Sequence, residues 1–249
     1  MGPATGREMQ KKILGWLIVG VLLMPACQLA ALNLPSVKNH AQPELGSGPT
    51  AFDDSSCQEQ YGRWVCAPQS ALGQIGCEQI RPPGDVLGGL QPAYPIRACL
   101  VLRDASQRLA EGEFVYRDGC LMGEYIRYVI LADGQFRLLK SLADLQQAYA
   151  PIETEAEALS YALAASGLGV RYGITAQRDL RYFVDQLEDT YVETLPQGYQ
   201  VHLFDYKLCG CGPHPTYAVE VLVTSDGQVQ ELSREKIYED PAEDKLCVD

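Results

Sequence analysis

Residues 217–233 read YAVEVLVTSDGQVQELS, and this stretch predicts a β-hairpin. Two runs rich in strand-forming residues flank Ser225-Asp226-Gly227, and the Asp-Gly pair supplies the positive φ that a tight turn needs. Val219, Val221 and Val223 alternate with other residues, so their side chains share one face of the strand. The stretch therefore predicts an antiparallel sheet that is buried on the valine face.

The same pattern recurs toward the N-terminus. Runs of β-branched and aromatic residues beside turn residues predict further antiparallel strands. These are a hairpin of residues 190–195 and 199–208 around Pro196-Gln197-Gly198, a hairpin of residues 124–131 and 136–139 around Asp133-Gly134, and a strand at residues 96–102.

Two helices are predicted between these hairpins. The first begins at the N-cap Ser141 and ends before Pro151, because proline disfavours helix in the preceding residue. The second begins at a capping box of Thr154 and Glu157 and ends at Gly167. Its predicted buried stripe is narrow and consists of Leu159, Ala162, Leu163 and Ser166.

Residues 175–187 fit either a helix or a strand, and the spacing of Leu180, Phe183, Val184 and Leu187 favours a helix. Taken together, the elements predict an α+β protein in which short helices pack on an antiparallel β-meander. We expect one compact, disulfide-cross-linked body at residues 57–249, with a subdivision into 57–140 and 141–249 left open.

The N-terminus has the features of a secretory signal peptide. Basic residues at Arg7, Lys11 and Lys12 precede twelve apolar residues, 13–24. Twelve helical residues rise only about 18 Å, short of the roughly 30 Å hydrocarbon core. Residues 1–26 are therefore predicted to be removed. A retained transmembrane anchor that extends to Leu32 is the alternative.

The residues that follow are Met24-Pro25-Ala26-Cys27, which resemble the lipobox of bacterial lipoproteins. The resemblance implies cleavage before Cys27 and acylation of that cysteine, as with palmitate. It also implies a location at the cell membrane or outer membrane, lipid-anchored and facing away from the cytoplasm. The alternative is an ordinary signal peptide cut near Ala26 or Ala31, which would release a soluble protein.

The cysteine count supports export independently, because an odd number leaves one thiol unpaired. If Cys27 carries lipid, the other eight cysteines can form four disulfides, as expected in an oxidising compartment. Five lie in residues 57–120 and three in residues 209–247, so at least one disulfide must join the two blocks. The predicted disulfide cysteines are Cys57, Cys66, Cys77, Cys99, Cys120, Cys209, Cys211 and Cys247.

Residues 27–56 lack any sustained period of 2 or 3.6 and are rich in Pro, Gly, Ser and Asn. They predict a lipid-anchored flexible tether that spans roughly 30 Å as a coil. His40 lies in this segment, and no specific role is predicted for it. The carboxylates Glu188 and Asp189, in the body, are expected to face water.

One loop brings together residue types that can carry metal chemistry. Cys209, Cys211 and His214 lie within six residues, and thiolate and imidazole suit Cu(I) or Zn. His202 or Glu220 on adjacent strands could complete such a site. Cys-x-Cys is not a usual zinc spacing, and export favours disulfides, so disulfides are the preferred interpretation and no metal is predicted.

Composition and motifs narrow the function. The net charge of −12 argues against nucleic acid as a partner. None of the usual nucleophile, nucleotide or zinc-protease motifs occurs, so we predict no cofactor and no catalytic residue. The expectation is a non-catalytic, membrane-tethered binding protein of the bacterial envelope, with an unknown protein or small ligand as partner. The alternatives are a Cu/Zn-binding envelope protein and an enzyme of unknown class. A deep pocket lined by perturbed carboxylates or by His202 would favour the enzyme.

Overall fold

The computed structural model describes residues 34–45, 57–61, 63–81, 87–103 and 106–248. The predicted signal peptide lies outside this part of the chain, and so do residues 27–33, which include Cys27, and residues 46–56 of the predicted tether. The longest helix in the described residues has 12 residues, too short for a bilayer, and none there qualifies as a membrane span.

Part of the predicted tether is bound to the body. Strand β1 (Ser36–Lys38) pairs in parallel with residues 186–188, and the side chain of Asn39 and the backbone N–H of His40 donate hydrogen bonds to Asp189. Strand pairing and hydrogen bonds therefore hold residues 36–40 of the predicted tether against the body. A local pattern of 2 or 3.6 is absent there because the segment forms only three paired residues, and its partner is distant in sequence.

The N-terminal sheet has seven strands, all paired antiparallel. A short helix, α1 (Ala71–Gln74), begins at the N-cap Ser70. The predicted Asp133-Gly134 turn is confirmed, with φ of 51° and 72° at the two residues. The strands are β2 (Cys57–Gln60), β3 (Arg63–Cys66), β4 (Gln79–Arg81), β5 (Ile96–Arg103), β6 (Tyr116–Asp118), β7 (Gly123–Ala132) and β8 (Gln135–Leu139); the order is β2-β3-β4-β5-β7-β6, with β8 also on β7.

Both predicted helices are confirmed, with their caps. In α2 (Leu142–Tyr149), the Ser141 hydroxyl accepts from the Asp144 N–H at 3.1 Å. In α3 (Glu155–Ser166), the Thr154 hydroxyl accepts from the Glu157 N–H at 3.2 Å. The Glu157 carboxylate accepts from the N–H of residue 153 at 2.7 Å, one residue earlier than a capping box requires.

The C-terminal sheet has five antiparallel strands in the order β11-β12-β14-β15-β9. Both hairpins predicted in this half of the chain are confirmed. Strand β10 lies outside the sheet and pairs with β1, and β13 pairs with β16. The strands are β9 (Arg181–Tyr182), β10 (Gln186–Glu188), β11 (Tyr191–Leu195), β12 (Gly198–Tyr206), β13 (Gly210–Cys211), β14 (Pro215–Thr224), β15 (Val229–Glu239) and β16 (Cys247–Val248).

The prediction of a helix at residues 175–187 is wrong. The segment contains β9 and the first two residues of β10, joined by irregular backbone. Leu187 is buried against Phe204 and Ile237 of the C-terminal sheet. Pairing of β9 with β15 and of β10 with β1 replaces the hydrogen bonds that a helix would have made, so tertiary contacts override the helical spacing.

Helix α3 is enclosed on all sides rather than along the narrow stripe that was predicted. Every residue from Glu157 to Ala165 is buried. Tyr128 of β7 donates a hydrogen bond to the Ala164 carbonyl at 3.1 Å, and the Tyr161 hydroxyl donates to the Gly227 carbonyl at the β14–β15 turn at 2.9 Å. One apolar core therefore runs from the N-terminal sheet through α3 to the C-terminal sheet.

The structure has the predicted α+β class, with short helices packed on antiparallel sheets in one cross-linked body.

All eight cysteines of the described residues form disulfides. The prediction that one disulfide joins the two cysteine blocks is confirmed by Cys120–Cys209. Four disulfides in one body indicate an oxidising, extracytoplasmic environment. The pairs are Cys57–Cys66, Cys77–Cys99, Cys120–Cys209 and Cys211–Cys247.

Candidate functional site

The candidate site lies on the face of the C-terminal sheet that points away from α3, here called the outer face. In β14 the three alternating valines pack toward α3, which places Glu220 on the outer face. The same alternation in β12 directs Val201 inward and His202 outward. His202 is nevertheless only 7% exposed, because residues 34–40 and 173–190 cover this face.

A row of polar side chains crosses three neighbouring strands of the outer face. Tyr191 lies opposite His202 in the β11–β12 register, and His202 lies opposite Glu220 in the β12–β14 register. The Nδ1 atom of His202 is 2.6 Å from Oε1 of Glu220, and Gln200 donates to Oε2 of Glu220 at 3.0 Å. The site is therefore built on paired strands, which hold its side chains at fixed register.

These contacts set the charge of the row. Burial alone would raise the pKa of Glu220, but the hydrogen bonds from His202, Gln200 and Tyr191 outweigh burial and lower it. Glu220 is thus a carboxylate at neutral pH. Burial and the nearby Glu220 charge raise the pKa of Tyr191 to about 12, so its hydroxyl stays a neutral donor.

Residues 38–40 add a second histidine–carboxylate pair. The ring of His40 lies 4.9 Å from the ring of Tyr191, and the ring of His202 lies 5.1 Å from it and nearly parallel, at 8°. The Nε2 atom of His40 is 2.7 Å from Oε1 of Glu188, and Lys38 forms an ion pair with the same oxygen. Burial would raise the pKa of Glu188, but its bonds to Lys38 and His40 outweigh that effect and lower it.

The Asp189 carboxylate holds residues 39–40 in place by hydrogen bonds. The residue is fully buried, and its carboxylate accepts four hydrogen bonds. Two come from the backbone N–H groups of Gly173 and Ile174, both at 2.9 Å, and two from the Asn39 amide at 3.0 Å and the His40 N–H at 3.2 Å. Burial would raise the pKa of Asp189, but these donors outweigh it and lower the pKa. A single carboxylate therefore fastens residues 39–40 to the body.

A cleft of about 280 Å³ opens beside the row, and we call it the outer-face cleft. A second cavity of about 250 Å³, with Arg171, Tyr172 and Tyr238 in its wall, lies on the other side of Leu187. The lining of the outer-face cleft consists of Gln186, Leu187, Glu188, His202, Phe204, Ala218, Glu220, Glu235 and Ile237.

The proposed metal ligands are not brought together. Cys209 is bonded to Cys120 and Cys211 to Cys247, and a disulfide sulfur is a poor ligand. His214 is 2% exposed, and neither ring nitrogen has a hydrogen-bond partner among the described residues. His202 and Glu220 are in contact with each other but not with Cys209 or Cys211, each of which is in a disulfide. In the described part of the chain, no three His, Cys, Asp or Glu side chains are grouped for a metal ion.

Sequence reasoning missed three residues of the site. The sequence predicts no role for His40 and predicts that Glu188 and Asp189 face water, whereas the structure gives all three specific partners. One signal is present in residues 199–206, YQVHLFDY. Aromatic or apolar residues occur at both the odd and the even positions of this strand, and therefore on both of its faces. Such a strand is typical of burial on both faces, which predicts a covering segment without identifying it. The chain matches no protein-family model, no curated protein and no solved structure.

Proposed function

We propose that this protein is an exported, non-catalytic binding protein, held at the membrane through lipid on Cys27, whose ligand occupies the outer-face cleft. One observation carries the proposal. The structure pairs all eight cysteines after residue 27 with one another, which leaves Cys27 as the odd thiol of the chain. An acylated cysteine at a lipobox-like site accounts for both the odd count and the oxidised body.

Binding is favoured over catalysis by the state of the polar groups in the cleft. Both carboxylates that accept hydrogen bonds there, Glu188 and Glu220, have lowered pKa values and are ionised at neutral pH. A general acid or base works best with a pKa near the working pH. Ionised groups that strand pairing holds in place are better suited to attracting and orienting a ligand.

The test is intact mass spectrometry of the protein isolated from the membrane of the cells that produce it. We expect a chain that begins at Cys27, carries acyl mass and is lighter by two hydrogens for each of four disulfides. Cys27→Ser is the matched control, because it removes the acylation site and should move the protein to the soluble fraction. A chain that begins at Met1 with reduced thiols would overturn the proposal.

Catalysis is the second candidate, and one observation favours it. The contact between His202 Nδ1 and Glu220, at 2.6 Å, is the arrangement that orients a histidine as a general base. Hydrolysis of p-nitrophenyl acetate by the native protein and by His202→Gln tests it, with His40→Gln as control. A lower rate in His202→Gln, with an unchanged rate in His40→Gln, would favour the enzyme. Equal rates for all three proteins would support the binding function.

The metal-binding alternative has no support in the structure, since Cys209 and Cys211 each lie in a disulfide with a different partner.

A further inference from the structure

Negative charge dominates the outer-face cleft. Glu188, Glu220 and Glu235 line it, and among the described residues Lys38 is the permanent cation that forms an ion pair with one of them, Glu188. The guanidinium of Arg171 lies 5.8 Å from the ring centroid of Phe204, which also lines the cleft. Glu235 is exposed, and its carboxylate has no hydrogen bond or ion pair with any residue that the structure describes. The three carboxylates outnumber the two neighbouring cations, Lys38 and Arg171, so the cleft attracts a cationic ligand, and the partly buried position of Glu220 limits screening by salt.

His202 supplies a second and independent feature that calls for a ligand. The residue lines the cleft, and its Nε2 atom has no partner among the described residues. Its Nδ1 atom faces an ionised carboxylate, which can only accept, so Nδ1 carries the proton. In the neutral ring Nε2 is then a buried acceptor without a donor, and buried polar groups in native proteins are ordinarily paired. A ligand N–H group would satisfy it.

The rest of the lining limits the body of the ligand. Leu187, Phe204, Ala218 and Ile237 form an apolar surface between the polar groups. The volume of about 280 Å³ lies below the roughly 300–1,000 Å³ of drug-sized sites. A short hydrocarbon chain with one polar end fits these dimensions.

We infer that the outer-face cleft binds an alkylammonium group, a primary amine cation on a short apolar chain. The ammonium donates to His202 and lies among the carboxylates of Glu220 and Glu235, while the chain contacts Leu187 and Phe204. The same group occurs in free alkylamines and in lysine side chains. This inference rests on the proposed function and names the chemical class of its ligand.

Calorimetric titration of the membrane-isolated protein with n-butylammonium chloride tests the inference. Sodium butyrate and 1-butanol are the matched probes, because they keep the chain length and change only the polar end. We expect a micromolar to millimolar Kd for n-butylammonium, as for a tight but very small ligand. Butanol and butyrate should bind at least about tenfold more weakly, since neither carries the positive charge that strengthens a hydrogen bond to a carboxylate.

Three variants locate the site. Glu220→Gln keeps the side-chain volume and removes the charge, and it should weaken n-butylammonium about tenfold or more. Glu235→Gln changes an exposed residue that the fold does not need, and it should weaken binding about threefold, as expected for a solvent-exposed charge. Glu111→Gln is the control, since Glu111 is exposed and lies on the loop before β6 of the other sheet. It should leave the Kd unchanged.

A second probe, Nα-acetyl-lysine N-methylamide, distinguishes lysine side chains from free alkylamines as the source of the ammonium group. Equal affinity for this probe and n-butylammonium assigns the cleft to lysine side chains of a partner, and at least tenfold weaker binding of the lysine probe assigns it to free amines. Butanol binding as tightly as n-butylammonium overturns the inference, as does an unchanged Kd in both Glu220→Gln and Glu235→Gln. A lipidated, disulfide-bonded protein without ammonium affinity refutes this inference alone, whereas a reduced chain starting at Met1 refutes the proposed function.

Discussion

The two faces of the C-terminal sheet are stabilised in different ways. The inner face packs apolar side chains such as Val201, Leu203 and Val219 against α3, and all three are fully buried. The outer face is a polar layer in which Asp189 and Glu220 accept hydrogen bonds from several donors. Apolar burial needs no specific partner, whereas a buried carboxylate is stable only with its donors in place. Apolar burial on the inner face should therefore contribute most of the free energy of unfolding. Hydrogen bonds on the outer face should determine which segment covers it.

The largest effect is expected from a cavity in the inner face. Leu203→Ala removes a fully buried side chain of the main core and should lower the free energy of unfolding by about 2–5 kcal/mol. Urea denaturation followed by circular dichroism measures the change. Leu232→Ala, at a 45% exposed position of β15, is the control and should stay within about 0.5 kcal/mol. A loss below 1 kcal/mol for Leu203→Ala would contradict an inner face that carries the stability.

The next largest effect is expected at the centre of the outer face. Asp189→Ala leaves four donors without an acceptor and should lower the free energy of unfolding by about 3 kcal/mol. Asp189→Asn keeps one carbonyl oxygen and should lose less. Hydrogen exchange gives the sharper readout, because amides at residues 36–40 should lose protection in Asp189→Ala while amides of α3 keep theirs. Equal loss of protection in both regions would mean that the two faces are not separable.

A smaller effect is expected from pH, and the carboxylates of the outer face should contribute to it. The pKa values of Glu188, Asp189 and Glu220 are lowered in the folded protein from ordinary values of 4.5, 3.8 and 4.5. Each group thus contributes stability that is fully present above its ordinary pKa and is lost as the pH falls through the lower folded value. We expect the free energy of unfolding to fall below about pH 4.

The control for this pH effect is Asp189→Asn, which does not titrate at position 189. Its free energy of unfolding, measured by urea titration between pH 5 and pH 3, should fall less steeply than that of the native protein. Identical slopes would show that Asp189 is not protonated in that range in either the folded or the unfolded state, or that its pKa is equal in both.

The smallest effect is expected where the outer face meets solvent. His40→Ala removes the ring contact with Tyr191 and the bond to Glu188 and should lower the free energy of unfolding by about 1 kcal/mol. Lys38→Ala removes an ion pair in which the lysine side chain is 57% exposed, so its effect should be no more than about 0.5 kcal/mol. Thermal unfolding resolves the two. A larger loss for Lys38→Ala than for His40→Ala would reverse the expected order.

The same contrast explains what the sequence could predict. The valines of β14, the Asp133-Gly134 turn and the Thr154 cap depend on residues within a few positions of each other, so local patterns reveal them. The polar layer depends on His40 and Glu188, which are 148 positions apart. No local period encodes such a contact. Segment 175–187 was misassigned for the same reason, since pairing of β10 with β1 decides its conformation.

The cysteines show which long-range contact a sequence can predict. Odd counts in two blocks required a link between them, and Cys120–Cys209 is that link. Counting could not identify the partners, because eight cysteines allow 105 pairings. Parity therefore predicts that two regions are joined, and only the folded structure shows where.

The Cys120–Cys209 bond has a consequence for the resistance of the body to proteases. It encloses the chain from β7 to β12, including both long helices and the exposed residues 177–179. A single cut anywhere in that interval leaves two fragments that remain covalently attached. Such a nicked molecule would run as one band on a non-reducing gel and keep its sheets in register, so cleavage of an exposed loop need not release any part of the body.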